Sequence, residues 1–160
     1  MWGFSIYNMH TYPHFRAAFF LYILKLMAEE KRPEFNIGVE KDGIIRLALS
    51  GHIGSENLEG LRTWAEEVKK TVREMHAQTG QKVFVVTDIS KLENYHPEAM
   101  SILAELLKAN ELHVEKSATF GGNAFIIMAQ DIITALSGRT NFKAFKTEAE
   151  ALKWLKESQL

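Results

Sequence analysis

Apolar positions along the chain switch between a period of two and a period near 3.6, and the switches mark out the elements. Phe35, Ile37 and Val39 alternate with Asn36, Gly38 and Glu40, the signature of a strand with one buried face. Asp42-Gly43 suits a tight hairpin turn, and Ile45, Leu47 and Leu49 carry the alternation into a second strand. The pattern breaks at Ser50-Gly51-His52-Ile53-Gly54, after which Ser55 is placed to cap a helix with Glu56 and Glu59 in its first turn. That helix is predicted to run to about Met75, with Leu58, Leu61, Trp64, Ala65, Val68, Val72 and Met75 on its inner stripe and Gly80 beyond its end.

Val83-Phe84-Val85-Val86 is a continuous apolar run, which predicts a central strand buried on both faces. Residues 88–96 read as a loop, and Pro97 suits the first turn of a helix carrying Met100, Leu103, Leu106 and Leu107. A short strand over 117–120 leads into Gly121-Gly122. Asn123 then caps a helix with Phe125, Met128, Ala129, Ile132, Ile133 and Leu136, ended by Gly138. Residues 142–145 form the last strand, and Thr147-Glu148-Ala149-Glu150 is a capping box opening a helix with Ala151, Leu152 and Leu155 inward. The predicted order is β-β-α-β-α-β-α-β-α, an α/β fold with a mixed β-sheet and packed helices.

Composition separates the start of the chain from the rest. Residues 1–26 hold eight of the seventeen aromatics, and the first acidic residue is Glu29. The apolar run over 17–24 is far shorter than the roughly 20 residues of a membrane-spanning helix, and no secretory cleavage pattern follows it. Two readings stay open: an amphipathic or interfacial segment, or sequence upstream of a true start at Met27 rather than Met1. The composition shift favours the second, leaving residues 27–160 as a single domain.

Charge and residue types then exclude several chemistries. Lys plus Arg (19) balances Asp plus Glu (20), so the basic footprint of nucleic-acid binding is missing. With no Cys, disulfides and thiolate metal sites are excluded, and a reducing cytoplasm suits the chain. Among the six His, only His10 and His14 have helical metal-ligand spacing, and Pro13 between them argues against a helix there, so neither metal nor cofactor is expected. Asp occurs only at 42, 88 and 131, and no Gly-x-Ser-x-Gly elbow is present, so no catalytic motif is found.

The element order, with Val85-Val86-Thr87-Asp88-Ile89-Ser90 entering a loop and helix, resembles the STAS fold of anti-sigma-factor antagonists and sulphate-transporter tails. Towards the C-terminus, Lys116-Ser117-Ala118-Thr119-Phe120-Gly121, Ser137-Gly138-Arg139 and the Phe145-Lys146-Thr147 to Ala151-Leu152-Lys153-Trp154-Leu155 stretch are similar to the bacterial SpoIIAA-like branch. The resemblance covers residues 35 to about 157 and implies a regulatory or interaction domain without catalysis. Antagonists of the family carry a phosphorylated serine in an Asp-Ser-Ser-Gly-type segment at the start of the helix after the central strand. Here that place reads His96-Pro97-Glu98-Ala99, with Ser101 a turn further in, so the phosphorylated serine does not carry over.

Loops leaving parallel strands gather on one edge of a sheet, the usual place for a crevice. On that basis Ser50, His52, Asp88, Ser90, Tyr95, His96 and Asn123 are expected to form a binding rim for a protein partner or small ligand. Each has a plainer role open to it: Asp88 and Ser90 bond within their own turn, Gly121-Gly122-Asn123 packs a strand closely on a helix, and His96 is an exposed cap. Ile126, Ile127 and Ile133 offer a partner or homodimer face, with packing against the last helix as the alternative. A carrier of a small apolar or amphipathic, lipid-like ligand, held between the helix after Asn123 and the sheet, is the competing function.

Overall fold

Val83-Phe84-Val85-Val86 lies in the middle of the sheet, with Val85 packed into one core and Val86 into another on the opposite face. The computed structural model describes residues 13–28 and 32–157. It runs α1 (Pro13–Ala28), β1 (Glu34–Val39), β2 (Ile44–Ile53), α2 (Leu58–Thr79), β3 (Val83–Asp88), β4 (Leu92–Tyr95), α3 (Pro97–Ala109), β5 (Val114–Phe120), α4 (Ala124–Ser137), β6 (Phe142–Phe145) and α5 (Glu148–Lys156). Strand order is β1-β2-β3-β5-β6, with β4 paired to β2 off this path. The β1–β2 hairpin is antiparallel and the other pairings are parallel. The expected mixed sheet with packed helices is therefore present.

On one face, Ile45, Leu47, Leu49, Val83 and Val85 pack with Leu61, Trp64 and Val68 of α2, Leu103 and Leu106 of α3, and Ile126, Ala129 and Ile133 of α4. On the other face, Ile44, Val86 and Ala118 meet Ala151 and Leu155 of α5. Local signals end the helices as expected. Gly80 and Gly138 take left-handed backbone at φ 69° and 68°. The Thr147 hydroxyl accepts from the Glu150 N–H at 3.3 Å while the Glu150 carboxylate accepts from the Thr147 N–H at 3.1 Å.

Boundaries differ from the sequence reading: β5 begins at Val114 rather than Ser117, and α2 runs on to Thr79. The second strand does not stop at Ser50 but runs to Ile53, because Gly51 (φ 77°) accommodates a bulge and its N–H donates to the Lys91 carbonyl at 2.9 Å. The partner gained is β4, which sequence pattern did not reveal: only its ends, Leu92 and Tyr95, are buried, so it has no period of two. Ser55 opens a 3-10 turn rather than capping α2, and it is Asn57 whose side chain accepts from the Gly54 N–H at 3.0 Å.

The chain divides into two compact units, Met1–Lys31 and Arg32–Leu160. In the first, α1 starts at Pro13, the helix position where a missing N–H costs least. Phe19, Phe20, Leu21 and Tyr22 are all exposed, and four consecutive helical residues point to nearly every side, so α1 is not amphipathic. No described helix is long and apolar enough to cross a membrane. The earlier aromatics, His10 and the side chain of His14 lie outside the described residues, as do the side chains of Phe125 and Met128.

Candidate functional site

Strands β3 and β5 end side by side, joined where the Ile89 N–H donates to the Phe120 carbonyl at 3.1 Å. Asp88 closes the turn that follows: its Oδ1 accepts from the Ser90 N–H at 2.8 Å and from the Ser90 hydroxyl at 2.6 Å. Ser90 is exposed and lies against Gly121. Gly121 and Gly122 have φ of 75° and 90°, and Asn123 caps α4 by accepting from the Ile126 N–H at 3.0 Å. Asp88, Ser90 and Asn123 thus form one patch, each engaged in local turn or cap bonding.

A second patch follows the β2–β4 pairing. His52 stands opposite Asn94 in that register, while Ser50 is paired across the sheet with Glu34 of β1. The His96 N–H donates to the Ile53 carbonyl at 2.7 Å, and its ring Nδ1 accepts from the Glu98 N–H at 3.2 Å, capping α3. Among the described residues no hydrogen bond links His52 or His96 to Asp88, Ser90 or Asn123; the two groups meet through the backbone, where the Gly51 N–H donates to the Lys91 carbonyl. Nor does any group of three or more described His, Asp or Glu have the arrangement of a metal site.

Tyr95 is corrected. It is buried in the main core with its hydroxyl unpartnered, and burial pushes its pKa up to about 12. The expected partner face is also redrawn, because Ile126 and Ile133 pack fully into the core and only Ile127 of the three is exposed, at 37%. Ile132 and Leu136 are exposed on the same helix.

The sequence places a carrier's pocket between the helix after Asn123 and the sheet but names none of its lining residues. A cavity of about 60 Å³ lies between the sheet and α2, α3 and α4, lined by Leu47, Val85, Leu103 and Ile133 among others, with Thr87, Asn110, Ser117, Thr119, Gln130 and Arg139 as polar members. Arg139 is only 3% exposed. Its Nε donates to the Asn141 Oδ1 at 2.6 Å and its Nη1 to the Leu107 carbonyl at 3.0 Å, while Nη2 has no partner. Burial lowers the Arg139 pKa, opposed by the charge of Glu111. Thr119 Oγ1 and Asn110 Oδ1 are likewise buried without partners. One signal was available: Ser117 and Thr119 sit two apart in β5, opposite Val85 and Thr87, which puts two polar residues on the inner face. Ser137-Gly138-Arg139 carries part of the family resemblance, but nothing local marks Arg139 as buried.

The SpoIIAA-like family model matches residues 44–156, well over half of the chain. The chain belongs to the SpoIIAA-like family. Solved structures share the fold at low identity. An uncharacterised protein from Shewanella loihica with a SpoIIAA-like fold is 18% identical, with a TM-score of 0.56 over 78% of this chain and 96% of that one. The anti-sigma factor antagonist SpoIIAA in its unphosphorylated form is 10% identical, with a TM-score of 0.54 over 77% of this chain and 98% of that one. SLC26A9 is 11% identical with a TM-score of 0.54, and 88% of this chain aligns with 26% of that chain. No curated protein matches the chain in sequence. The SpoIIAA-like match includes both rim patches and the cavity residues, and leaves α1 outside it.

Proposed function

We propose that this SpoIIAA-like chain is a non-catalytic regulatory module, cytoplasmic in location, that works by binding a protein partner at the rim where β3 and β5 end. The observation that carries the reading is exposed Ser90, held by Asp88 against Gly121. Beside it, Gly121 and Gly122 let the turn after β5 pack closely on Ser90 and Ile89. The name of its structural neighbour SpoIIAA, an anti-sigma factor antagonist, supports a role in regulation by binding.

The test is cross-linking of the full chain in its source cells, followed by mass spectrometry, for the wild type and Ser90→Tyr. The bulkier exposed side chain should abolish the cross-linked partner while the protein still unfolds cooperatively. An identical set of partners for both proteins would refute rim binding.

The second reading is a carrier of a small ligand, and the cavity under the sheet is the specific observation in its favour. Its mixed lining, apolar walls with a few buried polar groups, is the usual make-up of a small-molecule site.

A further inference from the structure

We infer that the cavity binds a short-chain carboxylate, with the head group on Arg139 and the hydrocarbon against the apolar wall. The inference rests on the carrier reading and names the ligand class for it.

Three residues that line one cavity each have a buried polar atom without a partner: Arg139 Nη2, Thr119 Oγ1 and Asn110 Oδ1. Buried polar groups are normally satisfied, so three exceptions around the same space point to an occupant. Arg139 is the decisive member. Its two bonds go to a backbone carbonyl and a neutral amide, and among the described residues no ion pair includes it. A guanidinium taken out of water without a counter-ion is destabilising, and an entering anion removes that penalty. The same two bonds hold the fork still, so its remaining N–H groups are pre-organised for a carboxylate oxygen. Thr119 adds a hydroxyl donor. Glu111, whose charge also reaches Arg139, is exposed, so water and salt weaken its competition.

Size selects the ligand. A space of about 60 Å³ is well below the roughly 150 Å³ of a cavity that takes benzene, which suits a short-chain acid and excludes a long acyl chain. The apolar wall of Leu47, Val85, Leu103, Leu106 and Ile133 favours hydrocarbon over a chain of waters.

The full chain is titrated with acetate, butyrate and neutral butyramide, and the Leu103, Ile133 and Thr119 methyl resonances are followed by NMR. Butyrate should bind tighter than acetate and at least about tenfold tighter than butyramide, because only the anion gains a charge-assisted bond. Replacing Arg139 removes ties to Leu107 and Asn141 and carries a folding cost, so Thr119→Val is the second variant. It keeps the shape, loses the hydroxyl, and should weaken butyrate several-fold. Equal binding of butyrate and butyramide overturns the carboxylate inference and leaves the carrier reading standing. No methyl shift with any probe up to about 50 mM, weaker than any useful affinity, overturns both.

Discussion

A Cβ placed on Gly121 would lie 2.6 Å from the Cα of Ser90. The turn after β5 and the turn after β3 therefore pack backbone to backbone, and the exposed serine of the rim keeps its position only while residue 121 has no side chain. Gly121 also has φ 75°, where an L-residue is strained.

Gly121→Ala should lower stability by about 2–4 kcal/mol through clash and strain together. Gly80→Ala is the matched control, with φ 69° and no atom within 4 Å, and should cost about 1 kcal/mol. Urea unfolding of both variants checks the difference; equal losses would mean that the Ser90 contact yields freely.

Tyr95 makes stability fall at alkaline pH. Its folded pKa, raised by burial to about 12 from the ordinary 10, means that the folded state holds the phenol proton more tightly than the unfolded chain does. The contribution is complete below about pH 10 and is lost as pH rises from there towards 12. Tyr95→Phe should remove this part of the pH slope, read as the difference in unfolding free energy between the two proteins from pH 7 to 11. At neutral pH it should be neutral or mildly stabilising, because the lost hydroxyl is buried without a partner. An unchanged slope would show that the phenol ionises freely in the folded protein.

Two isoleucines of α4 separate surface from core. Ile127 is 37% exposed and Ile133 is 1% exposed. Ile127→Lys should leave the unfolding free energy within about 0.5 kcal/mol and weaken any self-association that uses this face, measured by sedimentation velocity. Ile133→Lys buries an unpaired charge and should cost several kcal/mol or prevent folding. Loss of folding in Ile127→Lys would place that residue in the core instead.

We propose that residues 1–26 lie outside the folding unit. A chain beginning at Met27 should unfold cooperatively at the same urea midpoint as the full chain. A lower midpoint would make the aromatic leader part of the domain.

Local neighbours determined much of the fold. The apolar run Val83-Phe84-Val85-Val86 marks the central strand, and Thr147 with Glu150 marks the start of α5. Gly80 and Gly138 mark helix ends, because burial period, caps and left-handed backbone depend on residues a few positions apart. The turn and cap bonds of Asp88, Ser90, His96 and Asn123 were legible for the same reason, since each partner lies within three residues. Tertiary structure alone decided that β2 continues past Gly51 to meet β4, whose four residues carry no period of their own. It also decided that Tyr95, Ile126 and Ile133 turn inward. The sharpest case is Arg139. Its burial depends on Leu107, 32 residues earlier, and on the sheet behind the cavity, and whether water is excluded from a charge is set by distant segments packing over it.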